Sequence, residues 1–243
     1  MSIQQMLPFL STAVMAVFTV SVLSRYFVRR NPAFLFWGIG LARFGAGSFA
    51  EAYLALAWSP VIFFVWYFFG AVLNAGWIGQ GTVYLLFRRR WVHVLTAILV
   101  LGSLGALVLM LQVMPRLDAS HFTRTLPISE QYREIMPPAS EGATIRYTTP
   151  LFNIYGLVTL VGGALWSAYL FWRKRVLPNR VIGNGLIAVG ALSIGFASTL
   201  TRLGYGSLLY VGELVAAVLM FTGFLKAAAP QPEEAIQPAA AQA

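Results

Sequence analysis

The sequence predicts an all-α protein built as a bundle of seven transmembrane helices. Hydrophobic residues make up 58% of the 243 residues and charged residues only 10%, and the mean hydropathy is +0.73. A soluble domain carries about 25% charged residues, so this chain cannot cover itself with polar surface. The apolar residues also form runs of about 20 residues, the length that spans a bilayer as an α-helix. Lipid is therefore the expected solvent and partner.

Seven stretches of the chain are long and apolar enough to cross a membrane. They cover residues 7–28, 34–57, 61–87, 91–114, 150–172, 182–203 and 207–225, and we number the helices 1 to 7 in this order. The third stretch is long enough to tilt or to run past the bilayer. The N-terminus has no basic segment before its apolar run, so we interpret it as helix 1 and not as a signal peptide.

Basic residues in the short connections indicate the orientation, because loops rich in Lys and Arg stay in the cytoplasm. Eleven of them follow helices 1, 3, 5 and 7: Arg25, Arg29, Arg30, Arg88, Arg89, Arg90, Arg173, Lys174, Arg175, Arg180 and Lys226. The opposite short connections hold only Arg202. We therefore expect a cell-membrane protein with its N-terminus outside and its C-terminus in the cytoplasm. The net charge of +9 then reflects topology, and nucleic acid is not an expected partner.

The domain organisation is a transmembrane domain at residues 1–226 followed by a tail at residues 227–243. The long connection at about 115–150 is expected outside. Within it, "PISEQYREIMPP" places Ile128, Tyr132, Ile135 and Met136 on one helical face between prolines. This pattern predicts a short amphipathic helix that caps the bundle or lies at the interface; an ordered loop without a function is the alternative. The tail is rich in Ala, Pro and Gln and is expected to be disordered.

Two segments 145 residues apart are similar, which predicts an internal repeat. "WGIGLARFGAGS" (37–48) and "IGNGLIAVGALS" (182–193) agree at six of twelve positions. The similarity predicts that helices 1–3 and 5–7 form parallel repeats around helix 4, an organisation found among transporters, with Gly45 superposing on Gly190. Chance similarity is the alternative, because Gly, Ala and Leu are common in membrane helices.

Helix 2 carries two charges inside an apolar run, "GLARFGAGSFAEAYLALAW" at residues 40–58. On a helical wheel, Arg43 and Glu51 share a face with Gly40, Gly47 and Ala50. A helix face that carries only small side chains beside its charges can approach neighbouring helices closely. We therefore expect Arg43 and Glu51 to point into the bundle and to find partners on helices 3, 6 or 7.

Other membrane helices carry polar residues that could face the same interior. Asn74 lies on helix 3, Asn184 and Arg202 on helix 6, and Glu213 on helix 7. At 1.5 Å per residue, Glu51, Glu213 and Arg202 form an outer layer, whereas Arg43 and Asn74 form a central one. Ionisable residues inside a membrane are functional candidates by default. These six residues are our candidates for binding a ligand or coupling an ion; a salt-bridge cluster that only fixes helix packing is the alternative.

The state of the two acids depends on whether a cation lies between them. If Glu51 and Glu213 adjoin without one, a single proton should be held by the pair, because like charges at low dielectric disfavour joint ionisation. If Arg202 bridges them, both stay ionised and the cluster is a structural clamp.

Several kinds of chemistry are not expected. The chain has no cysteine, which excludes disulfides and thiolate metal sites. His93 and His121 are predicted on opposite sides of the membrane, so they cannot share a metal or a haem. Lys174 and Lys226 both lie at the cytoplasmic edge, so a retinal Schiff base is excluded. We expect no metal, no cofactor and no enzymatic activity.

The favoured function is a transporter-like one, binding or transporting a small polar ligand through a cavity between helices 2, 3, 6 and 7. The alternatives are a non-catalytic structural subunit, with other membrane subunits as partners, or a sensory membrane unit. The arrangement is similar to small sugar carriers built from two three-helix bundles. Their Pro-Gln signature is missing from the helices, since Pro230-Gln231 lies in the tail.

Overall fold

The computed structural model of the chain describes residues 3–87, 89–175, 177–203 and 205–229, with the backbone alone at residues 3, 4, 202 and 207. This part of the chain is all-helical, without strands. It contains seven helices that are long and apolar enough to span a membrane, which confirms the predicted fold class. Arg88 and the predicted disordered tail from Pro230 onward lie outside the described residues.

The helices follow the predicted order. Helix 1 is Ile3–Arg29, helix 2 Pro32–Leu54, helix 3 Pro60–Leu86, helix 4 Trp91–Val113, helix 5 Ile145–Arg173, helix 6 Pro178–Arg202 and helix 7 Ser207–Ala228. A further helix, Ile128–Ile135, lies between helices 4 and 5, and we call it the loop helix. Helix 5 begins five residues before its predicted start. The Arg146 guanidinium donates to the carbonyl of Pro137 at 2.9 Å, which holds this additional turn.

Two helix starts follow the same sequence rule. The Asn31 side chain accepts from the Ala33 N–H, and Pro32 is the first residue of helix 2. Ser59 accepts from the Ile62 N–H, and Pro60 is the first residue of helix 3. Proline suits the first position because an N–H there would have no partner within the helix, and proline has no N–H. The capping side chain accepts from one of the other free N–H groups of the first turn.

Helix 3 is interrupted by a π-helical segment at Val65–Leu73. Such segments insert an extra residue into a helix and are frequent at functional sites. Asn153 of helix 5 donates to the Ala71 carbonyl at 3.0 Å. Glycines let the segment approach helix 2, since a methyl group at Gly47 would lie only 2.7 Å from the Cα of Gly70. The segment is therefore held between helices 2 and 5.

Helices 5, 6 and 7 share a buried cluster toward the side of the bundle opposite the N-terminus. Leu160 and Val161 of helix 5 belong to one buried cluster with Ile187 and Ala188 of helix 6. Ala216 and Ala217 of helix 7 join the same cluster. Helix 4 instead lies at the edge, with most of its side chains exposed.

The loop helix is amphipathic and packs on the bundle, as predicted. Ile128, Ile135 and Met136 are buried and Tyr132 is half-buried. Gln5 donates to the Arg124 carbonyl at 3.2 Å, so the long connection lies on the same side as the N-terminus. We call this the N-terminal side; its location outside the cell stays a prediction.

The internal repeat also stays a prediction, and the packing of the paired glycines does not support it. Gly45 faces Met15 of helix 1, whereas its pair Gly190 faces Met220 of helix 7. In a true repeat the counterpart of helix 1 is helix 5. The matched positions therefore do not make equivalent contacts.

Candidate functional site: a cavity with a buried acid pair

A cavity of about 1020 Å³ lies in the half of the bundle next to the N-terminal side. Helices 2, 3, 6 and 7 line it, as predicted, and so do helix 5 and the loop helix. Its polar lining includes Ser48, Glu51, Asn74, Ser129, Arg146, Thr149, Asn153, Ser198 and Glu213. The close packing of helices 5, 6 and 7 beyond Leu160 closes the cavity toward the opposite side.

Glu51 and Glu213 form an acid pair at the wall of this cavity. Their side chains are only 1% and 8% exposed, and their carboxyl groups lie beside each other. Trp66 Nε1 donates to Glu51 Oε1 at 2.9 Å, and the Ser48 hydroxyl lies beside Glu213. Tyr210 is a third neighbour of both acids. None of these neighbours within the described side chains is cationic.

Four buried polar atoms of the cavity wall lack a hydrogen bond of acceptable geometry within the described structure. They are Ser48 Oγ, Glu51 Oε2, Ser129 Oγ and Glu213 Oε2, and all four residues line the cavity. Buried polar atoms in proteins are nearly always partnered, by protein groups or by ordered water. All four atoms are shielded from contact with what fills the cavity. Because Ser48 and the two carboxyl groups adjoin one another, a proton held between the carboxyl groups satisfies their free oxygens without a ligand.

The local sequence explains how the pair forms. Ser48 and Glu51 lie three residues apart, on the same face of helix 2. One turn before them, Gly47 brings the π-helical segment of helix 3 close. This contact places Trp66 where its indole N–H reaches Glu51.

Aromatic rings form the adjoining wall. Trp66 and Tyr67 both lie next to Tyr132 of the loop helix, with ring centroids 5.7 and 5.9 Å from it. The Tyr67 hydroxyl is 3.2 Å from the Thr149 hydroxyl. The guanidinium of Arg146 lies 5.5 Å from the Tyr132 centroid, so this cation is held at the loop side of the cavity.

The structure brings three of the six predicted site residues together. Glu51, Asn74 and Glu213 all line the cavity. Glu51 is protein-facing and has a partner on helix 3, as expected. The side chain of Arg202 lies outside the described residues, so the clamp that it would form with the two acids stays a prediction.

Arg43 is half-buried, as a protein-facing residue should be, but it does not line the cavity. Its guanidinium lies 3.8 Å from the centroid of the Trp77 ring, and its Nη1 is buried without a hydrogen bond in the described structure. A cation is attracted to the face of an indole ring. Arg43 therefore contacts an aromatic face on helix 3 and lies outside the lining to which Asn74 belongs; the predicted central layer of these two residues stays a prediction.

Asn184 is also outside the cavity lining. It lies near the start of helix 6, where Gly183 approaches Gly223 of helix 7 closely. Helices 6 and 7 are therefore in direct contact there, and Asn184 beside this contact is half-buried. Helix 6 contributes to the lining only from Ala191 onward, a part that includes Ser198.

The contribution of helix 5 was not predicted. Arg146, Thr149, Asn153 and Gly156 all line the cavity, and they are spaced three or four residues apart. This spacing places them on one face of a helix. The pattern was missed because the predicted helix began at Pro150, although the sequence itself contains it.

Comparison with known proteins gives no assignment for this chain: no family model, no curated protein and no solved structure matches it significantly. The structure indicates only the general class of protein. The seven apolar helices are those expected of a multi-pass membrane protein.

Proposed function

We propose that this protein binds a small ligand in the cavity between helices 2, 3, 5, 6 and 7, as a carrier or a ligand-sensing receptor of the cell membrane. One observation carries the proposal: the bundle encloses a cavity of about 1020 Å³ whose lining includes two adjacent buried acids, Glu51 and Glu213. The volume of the cavity is also at the upper end of the range of about 300–1,000 Å³ that is usual for ligand sites.

The acid pair is the expected point of recognition. Two adjacent carboxyl groups in a medium of low dielectric cannot both stay ionised without a compensating cation. Glu51 and Glu213 therefore either bind a positively charged group or share a proton. Either state couples the cavity to a charged species, as a carrier or a sensor requires.

We assign no reaction to this cavity. Acid–base catalysis needs a substrate placed against the catalytic groups, and nothing in the lining marks a substrate for the two carboxyl groups. A purely structural subunit needs no space in its interior and is better served by close packing. The large cavity therefore favours a ligand-binding role over that alternative.

Cysteine accessibility tests the proposal directly, because the protein has no native cysteine. Thr149 lines the cavity and is half-buried, whereas Leu151 is 68% exposed on the outer surface of helix 5 at a similar depth. In the full-length protein in membranes, Thr149→Cys should react rapidly with 2-aminoethyl methanethiosulfonate, whose uncharged form also dissolves in the bilayer and can therefore reach the cavity from either water or lipid. Leu151→Cys, which faces lipid, should react slowly, since thiolate formation needs water.

The opposite result would favour a structural role. If Thr149→Cys reacts as slowly as Leu151→Cys, the cavity is dry and the ligand-binding proposal fails. Ser198→Cys tests a second position of the lining. It should react as rapidly as Thr149→Cys, which would show that the result does not depend on the first substitution alone.

A further inference from the structure

The cavity is open at its side, between helices 5 and 6. Ile154 and Leu157 of helix 5 line it and are nevertheless 60% and 45% exposed. On helix 6, Gly195, Ser198 and Thr199 also line the cavity and are exposed. A residue that lines an interior cavity and is also exposed marks an opening. The two helices therefore leave a gap, which we call the side opening.

The side opening is confined to the half of the bundle next to the N-terminal side. Deeper along the same helices, Leu160 and Val161 pack with Ile187 and Ala188 in a buried cluster. Helices 5 and 6 thus touch at one end and separate at the other. At Gly195 the gap is wide enough that an added Cβ would meet no atom within 4 Å.

The side opening faces the bilayer, because both helices that border it are apolar membrane spans. A polar ligand that enters from water has no reason to pass between them. A molecule already dissolved in the hydrocarbon region can do so without leaving its solvent. The geometry therefore indicates a route for a ligand with an apolar part.

The two ends of the cavity differ in chemistry. Near the side opening the wall includes the aliphatic side chains of Ile154, Leu157 and Ile194. At the end of the cavity away from the side opening are the carboxyl groups of Glu51 and Glu213, next to the Trp66 ring. Carboxylates favour a cationic ammonium group.

The arginines of the lining do not reverse this preference. Arg146 donates to the Pro137 carbonyl and lies against the Tyr132 ring, both on the loop side. Arg133 is exposed on the loop helix and lies beside the same ring. Neither is among the neighbours of the acid pair that the structure describes.

On the basis of the ligand-binding role proposed above, we infer that the ligand is an amphiphilic amine that enters from the bilayer. Its ammonium group binds to Glu51 and Glu213, and its apolar chain extends through the side opening between helices 5 and 6.

The ligand class is tested with dodecylamine and the full-length protein in phosphatidylcholine nanodiscs. Dodecanol and dodecanoate have the same chain without the ammonium, and they control for partition into the lipid. A ligand that binds only the folded state raises the unfolding temperature. Dodecylamine should raise it saturably, and the two controls should not. An equal response to dodecanol would overturn the amine assignment.

The entry route is tested at Gly195, where the open space allows a large side chain. Gly195→Trp should place a ring in the side opening and weaken the apparent affinity for dodecylamine at least tenfold. Gly162→Trp is the matched control, because Gly162 also has open space around it and does not line the cavity. Its affinity should match that of the unmodified protein. Equal affinities for all three proteins would overturn the route through the bilayer.

A short amine separates this inference from the proposed function. Butylamine has the ammonium group without the long chain, so its binding should be weak. If butylamine binds as tightly as dodecylamine, the ligand need not be amphiphilic and this inference fails, while ligand binding in the cavity stands. If Thr149→Cys shows a dry cavity, the proposed function fails as well.

Discussion

At the scale of single residues, the main feature is an acid pair whose neighbours among the described side chains are uncharged. Trp66 satisfies one oxygen of Glu51, and Ser48 lies beside Glu213. A buried charge that loses its only counter-charge costs about 3–5 kcal/mol, but no described neighbour supplies such a counter-charge here. Under the function proposed above, the pair serves binding or coupling and not the stability of the bundle.

Glu51→Gln distinguishes these roles. The glutamine oxygen can still accept from Trp66, and its amide can donate to Glu213. We expect the free energy of unfolding to change by less than about 1 kcal/mol, while binding of the amine or its pH dependence is lost. Denaturant unfolding with a parallel binding titration measures both.

A large loss of stability would contradict this expectation. If Glu51→Gln costs about 3–5 kcal/mol, the acids are part of a salt bridge to Arg202 and the structural clamp is correct. Glu213→Gln should then show the same loss.

At the scale of helices, length and hydropathy were sufficient to predict all seven spans, because lipid leaves the backbone few alternatives. The loop helix followed from the spacing of its apolar residues. The start of helix 5 did not follow from Pro150, since proline is tolerated inside a helix when other contacts hold the preceding turn. The π-helical segment had no recognisable signal, because the surrounding packing and not local sequence decides where an extra residue is inserted.

The contact between helices 2 and 3 depends on the absence of side chains at Gly47 and Gly70. Gly47→Ala would place a methyl group 2.7 Å from the Cα of Gly70. Because backbone atoms cannot rearrange as side chains can, we expect a loss of about 1–3 kcal/mol in the free energy of unfolding.

Gly105→Ala is the control for this substitution. Gly105 lies in helix 4 and an added Cβ there meets no atom within 4 Å. It should leave stability unchanged or raise it by up to about 1 kcal/mol, because alanine favours helix over glycine. Equal losses for both variants would show that the approach of helices 2 and 3 is not critical.

At the scale of the whole molecule, the sequence predicted which faces meet but not how much space they enclose. Wheel positions placed Glu51 and Glu213 inside, and the structure brings them together. The exclusion of Arg43 depends on Trp77, a neighbour on another helix that wheel positions on helix 2 do not include. The cavity and its opening depend on where helices 5 and 6 separate, which a single sequence does not encode in any local pattern.

The orientation of the bundle is a prediction at this scale. Basic residues after helices 1, 3 and 5 place the N-terminal side outside the cell. A reporter fused after Lys226 should therefore behave as cytoplasmic, and one inserted near Ser140 as external. Activity on the reverse side at either position would contradict the predicted topology.

The confinement of the side opening to one half of the bundle makes the two leaflets of the bilayer unequal for this protein. Only molecules in the leaflet on the N-terminal side can reach the gap between helices 5 and 6 by lateral diffusion. With the predicted topology, that leaflet is the outer one. The protein would then sample amphiphiles that arrive from the surroundings before they flip across the membrane, and it would ignore chemically identical molecules made inside the cell.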